Sequence, residues 1–217
     1  MSDARSDILK RLRSVLDGGR ADGMEPSEIV QSRLVERPRG PQPAWSEDLL
    51  TRFNQRMESA AASVGGVADR RSLTEAVQAY LQRHQLPAQL VAAPHPLLAD
   101  LSWPEPINVE HRAIDNQDLT AISVAFAGIA ETGSVMMLSG AATPTRINFL
   151  PDNFLCVVAR KRIVPRIEDA WELIRKEQGG MPRTVNLVTG PSRTADVEQT
   201  IQLGAHGPRR MHVLVLG

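Results

Sequence analysis

Residues 185–216, VNLVTGPSRTADVEQTIQLGAHGPRRMHVLVL, decide the fold. Residues 185–188 form a short apolar run of strand length, 189–193 (TGPSR) a tight loop, 194–198 (TADVE) the opening of a helix, and 211–216 a second apolar run. A strand, a helix and a strand at this spacing predict a crossover unit and hence parallel strands. The same alternation runs upstream, with strands predicted at 89–92, 107–109 and 154–159 and a helix at 166–177, Arg166 following Pro165 at its start. The expected class is α/β, a mainly parallel sheet flanked by helices.

Working toward the N-terminus, Ser46 is a candidate N-cap for a helix that carries Leu49, Leu50, Phe53, Met57 and Ala60 on one face, with Gly65-Gly66 as its stop. Ser72 with Glu75 has capping-box spacing, and Leu73, Ala76, Val77, Tyr80 and Leu81 make the next stripe. Ile8, Leu9, Leu12, Val15 and Leu16 recur at helical spacing before Gly18-Gly19, and the Gly- and Pro-rich stretch 18–45 reads as a tether with one helical turn inside it. Two parts are therefore expected: 1–45, an N-terminal amphipathic helix and flexible tether, and 46–217, an α/β domain. So short a helix must bury its stripe on its own domain or on a neighbouring subunit, and the tether is long enough for a homo-oligomer built by exchanged helices.

Composition excludes several functions. Lys and Arg number 25 and Asp and Glu 25, so no net field draws the chain to nucleic acid or anionic lipid. The basic run 160–162 and the pair Arg209-Arg210 have no interleaved aromatics, and one Tyr, three Trp and four Phe in the whole chain leave no stacking platform. The most apolar stretch, 121–130, is about half the ~20 residues that span a bilayer, so no membrane insertion is expected. The first 16 residues interleave charge with leucine and lack a signal-peptide core, which points to the cytoplasm. Cys156 is the only cysteine, so this chain supplies neither a Cys₄ zinc site nor a conventional iron–sulfur cluster, and in its apolar run it reads as a buried hydrophobe. His84, His95, His111 and His212 lack HxH or HxxxH spacing, so no metal site is expected.

Three segments could carry chemistry. In the first, Gly190, Ser192, Arg193, Thr194 and Asp196 surround the expected helix start, where free amides, two hydroxyls and a guanidinium could hold a small anionic ligand. Ser or Thr before acidic first-turn residues is equally ordinary helix capping, and both readings stand. In the second, His206 and Gly207 lie in Gly204-Ala205-His206-Gly207-Pro208, a sharply turned loop in which the imidazole serves as general acid or base or bonds a loop carbonyl. In the third, Glu131, Thr132 and Gly133 form a polar break between apolar runs, a turn joining two strands. There Glu131 is either a base or nucleophile or a solvent-exposed turn residue.

The segments IAETGS (129–134), GPSRTADVEQT (190–200) and LGAHGP (203–208), in this order, resemble the LUD-domain family over about residues 47–217. The resemblance implies a NagB/RpiA/CoA-transferase-like fold and a cytoplasmic protein acting with two iron–sulfur partners, similar to lactate utilization proteins A and B, in oxidising L-lactate to pyruvate. Family motif positions fall on Glu131, Thr132 and Gly133, on Gly190, Ser192, Thr194 and Asp196, and on His206, Gly207 and Pro208. The expected function is a non-iron–sulfur subunit of that system, with Arg193 and amides near Ser192 and Thr194 on the anion and Glu131 or His206 moving a proton. No side chain accepts hydride, so a cofactor of unassigned identity or a partner must. The rivals are a stand-alone transferase or ligase on an acyl or phosphorylated small molecule, with Glu131 as nucleophile, and a scaffold or regulatory subunit.

Overall fold

A computed structural model describes residues 4–18, 26–194, 202–204 and 206–217. The chain divides into two compact units, Met1–Trp45 and Ser46–Gly217. The first contains α1 (Ala4–Gly18) and α2 (Pro26–Glu36), so the tether holds an 11-residue helix where one turn was expected. Ile8, Leu12 and Val15 of α1 and Val30, Leu34 and Val35 of α2 are exposed.

The second unit opens with α3 (Leu49–Ser59), capped by Asp48, whose carboxylate accepts from the Leu50 and Thr51 amides. Asp48 takes this role in place of Ser46 because its side chain reaches both first-turn amides. β1 (Ser63–Val67) follows directly. The glycines at 65 and 66 thus lie inside a strand, where a helix stop was expected. α4 (Arg70–Arg83) is capped by Asp69, which bonds reciprocally with Ser72, so Ser72 is the last residue of the capping box and not its first. Then come β2 (Gln89–Ala92), the short α5 (Pro96–Ala99), β3 (Asn108–Glu110), β4 (Thr120–Val124), β5 (Ala127–Ile129), β6 (Ser134–Leu138) and β7 (Asn153–Ala159). The chain finishes with β8 (Ile163–Val164), α6 (Ile167–Glu177), β9 (Val185–Val188), β10 (Arg193–Thr194), β11 (Gln202–Leu203) and β12 (Arg210–Leu216).

Six strands form a wholly parallel sheet in the order β1-β12-β7-β4-β2-β3. The central strands are mostly apolar because both faces are covered, with a few buried polar residues such as Ser123 and His212. Along β7, Leu155 and Val157 face α4 and its stripe of Leu73, Val77 and Leu81, while Phe154, Cys156 and Val158 face Phe53 and Met57 of α3. A four-stranded mixed sheet, β8-β5-β6-β9, packs on that second side. Val135 and Met137 of β6 look toward the first sheet, and Met136 with Ile129 looks outward to Ala170 and Ile174 of α6. The Cys156 thiol is fully buried beside the Met137 sulfur, and desolvation pushes its pKa upward.

Candidate functional site

The turn between β5 and β6 is the hairpin expected from the Glu-Thr-Gly-Ser break. Its Gly133 has φ +64 and lies against the last turn of α3, where a Cβ would come within 2.4 Å of the Met57 amide nitrogen. Only glycine combines that left-handed backbone with that approach. β9 pairs antiparallel with β6, which brings its end, Thr189-Gly190, beside the same turn. Gly190 repeats the device at φ +80, its missing Cβ directed at the Ala60 carbonyl oxygen. Both motif glycines thus seat their loops on the C-terminal end of α3.

Hydroxyls knit the two loops together. Thr132 Oγ1 and Ser134 Oγ lie 2.7 Å apart, and Ser134 Oγ lies 2.6 Å from Thr189 Oγ1. Ser134 is buried, so this chain of hydroxyls satisfies a group that would otherwise be stranded. Ser134 and Thr189 were not among the predicted site residues. The available signal was the Glu-Thr-Gly-Ser break itself, which places two hydroxyls at one tight turn.

Two residues further on, Ser192 anchors the histidine loop. Its amide donates to Pro208 O (2.8 Å), its carbonyl accepts from the Gly204 amide (3.1 Å), and its Oγ accepts from the His206 amide (3.3 Å). Gly207 packs against the Ser192 Cβ. The turn at 132–134 and the loop at 204 and 206–208 are therefore both hydrogen-bonded to the single stretch 189–192, which makes them one assembly.

The expected helix start needs correction. Arg193 and Thr194 pair antiparallel with Leu203 and Gln202, so Thr194 belongs to a two-stranded ribbon and is no N-cap. The Ser192 amide is engaged with Pro208 and is not free for an anion. Asp196 and the rest of the predicted helix, 195–201, lie outside the described residues. The position relative to the sheet also differs from expectation. β9 belongs to the mixed sheet, and Arg210, which opens β12, follows the histidine loop directly. The assembly therefore borders the amino end of the main parallel strands, opposite the end where open α/β sheets bind ligands by general rule.

Glu131 points elsewhere. Its amide donates to Pro165 O at 2.9 Å, and its Oε2 accepts from the Ile167 amide at 3.3 Å, at the N-terminus of α6. No contact joins its carboxylate to Arg193 or His206 among the described residues; both of those side chains are exposed. Cavities of about 450, 290 and 360 Å³ lie beside the carboxyl ends of the parallel strands, lined by other residues. Among the described residues no three His, Cys, Asp or Glu side chains are grouped to hold a metal ion, and no helix is long and apolar enough to cross a membrane.

This architecture, with its three knitted motif loops, is that of a LUD domain: the family model matches residues 50–216, and the chain belongs to that family. Among curated proteins it is similar to lactate utilization protein C of Geobacillus kaustophilus, 32% identical over 133 residues that make up 55% of each chain. It is also similar to lactate utilization protein C of Geobacillus sp. strain WCH70, 33% identical over 108 residues, 48% of this chain and 45% of that one. The chain spans about half the length of these relatives. A crystal structure of a DUF162 family protein from Deinococcus radiodurans superposes with a TM-score of 0.60 at 21% identity, covering 81% of this chain and all of that one. The shared fold is thereby established.

Proposed function

We propose that this chain is a non-iron–sulfur subunit of an L-lactate utilization system, acting in the cytoplasm with two iron–sulfur subunits and binding a small anionic ligand at the assembly of residues 131–134, 189–193 and 204–208. The observation that carries the reading is the Thr132–Ser134–Thr189 hydroxyl chain continued by Ser192 into the His206 loop. Polar groups from three separated segments converge there. A ligand site gathers polar groups from separated segments in this way. The names of the similar proteins supply the substrate.

In this reading the exposed Arg193 guanidinium holds a carboxylate, hydroxyls of the Thr132–Thr189 chain bond the ligand's oxygens, and His206 takes or returns a proton. Two electrons and two protons leave lactate when it becomes pyruvate: the hydroxyl proton goes to His206, and the Cα hydrogen leaves as a second proton with both electrons passing to an acceptor on the partners, since no side chain here stores them. Glu131 is the weaker candidate for the proton because its carboxylate already accepts from the α6 amide. That same contact favours the scaffold reading, in which the motif loops are structural and partners do the chemistry.

The test is lactate oxidation by the chain reconstituted with its iron–sulfur partners. Thr132→Val and His206→Ala are expected to lower the rate at least tenfold while leaving the unfolding midpoint nearly unchanged. Full activity in both variants would leave the scaffold reading. Product from purified chain with acyl-CoA and an acceptor acid would instead establish the transferase.

A further inference from the structure

A cavity of about 360 Å³ opens at the opposite end of the sheet, past the carboxyl ends of β2 and β3. Its walls come from Pro94 after β2, Ala113 and Ile114 after β3, and Pro144 and Ile147 from the loop after β6. Ile114 and Ile147 are buried, so the interior is apolar and fixed by the core. The volume is that of a small-molecule site, and its place, past the carboxyl ends of neighbouring parallel strands, is where this sheet type binds ligands.

The rim is charged in one sense. Arg112 is neutralised by Asp118, which it grips through Nη1 and Nη2 at 2.7 and 2.6 Å, and by Glu110. Arg146 is exposed at the rim and makes no ion pair among the described residues. No carboxylate lines the cavity. A half-open apolar cleft with His111 and one uncompensated guanidinium at its mouth matches an anion with a hydrocarbon body.

We infer that this cavity binds an amphipathic monocarboxylate, its carbon body between Ile114 and Ile147 and its carboxylate paired with Arg146. A chamber of this size takes a body of about eight carbons with room to spare. The site shares no residue with the assembly around Ser192, so it stands or falls independently of the lactate reading.

Calorimetric titration of the full chain with straight-chain carboxylates from butanoate to octanoate tests it. Affinity is expected to rise about three- to fourfold per added methylene, as burial of each group dictates. Octanol, equal in body and without charge, is expected to bind about tenfold more weakly than octanoate, and Arg146→Ala to erase that difference. Ala113→Trp, at an exposed wall position, is expected to abolish binding of both probes while the chain keeps its unfolding midpoint. Absence of octanoate binding, affinity independent of chain length, or octanoate binding unchanged in both variants would overturn the site. None of these readouts involves lactate oxidation, so loss of the proposed function would leave them intact.

Discussion

At Gly190 a methyl group would stand 2.2 Å from the Ala60 carbonyl oxygen, on a backbone already at φ +80. The atoms it would meet are backbone, so relief needs a shift of the loop, which carries the Thr189 hydroxyl bonded to Ser134, or of the chain at the end of α3. Gly190→Ala is therefore expected to cost at least about 2 kcal/mol in urea unfolding, whereas Gly66→Ala, whose Cβ meets nothing within 4 Å, stays within about 0.5 kcal/mol. Equal effects would show that the loop does not depend on this seat. His212 supplies a second residue-scale prediction. Its ring stacks on Tyr80 at 4.8 Å and its Nδ1 lies 2.7 Å from Ser63 Oγ. Burial is the main cause that pushes its pKa down to about 4 from an ordinary 6.5; a hydrogen bond with Ser63 pulls it back up in part, and Arg83 and His84 add smaller downward pushes. Above pH 6.5 the ring is neutral folded or unfolded and costs nothing. Between pH 6.5 and 4 only the unfolded chain takes up the proton, so stability falls as pH drops through that window, by about 2 kcal/mol between pH 7 and 4.5. His212→Gln should show a correspondingly smaller loss over the same interval; parallel curves for the two proteins would refute the assignment.

Among the elements, α6 shows how a motif residue can serve structure. Its first amides meet two carboxylates, Asp169 Oδ2 on the Arg166 amide at 3.0 Å and Glu131 Oε2 on the Ile167 amide at 3.3 Å. Negative charge at a helix N-terminus is stabilising, so Glu131→Gln is expected to lower stability by about 0.5–1 kcal/mol in urea unfolding. An unchanged midpoint would free Glu131 for the chemical role first considered for it. This contact was not legible in the sequence, because Glu131 and Ile167 meet only through the parallel pairing of β5 with β8. In the main sheet β2, β3, β7 and β12 were legible, β7 most clearly because burial on both faces leaves a continuous apolar run at 154–158, while β4 showed only as part of the apolar stretch 121–130. β1 was not, because its glycines carry no apolar signal and it lies at the sheet edge. The ribbon of β10 and β11 was missed for a related reason: the Thr-Ala-Asp pattern that suggests a helix cap says nothing of Leu203 and Gln202 across the pair.

For the molecule as a whole, the division at Trp45 and the distribution of buried side chains make one further prediction. Among the described residues every core side chain lies between Phe53 and Val215, and none comes from the first unit. Residues 46–217 alone are therefore expected to fold with an unfolding midpoint within about 4 °C of the full chain, since a difference of 1 kcal/mol moves a domain of this size by only a few degrees. The first unit has a different need. Ile8, Leu12 and Val15 are 54–70% exposed on α1, and a helix of 15 residues gains its stability from burying such a stripe. If exchange of these helices between copies is what covers them, sedimentation equilibrium will find the full chain as an oligomer and residues 46–217 as a monomer. Replacing Leu12 by Asp in the full chain should then give the monomer as well. A full chain that remains monomeric into the hundred-micromolar range would rule out the exchange and leave the stripe to its own domain or to a partner of another kind, with the iron–sulfur subunits the first to test by co-sedimentation.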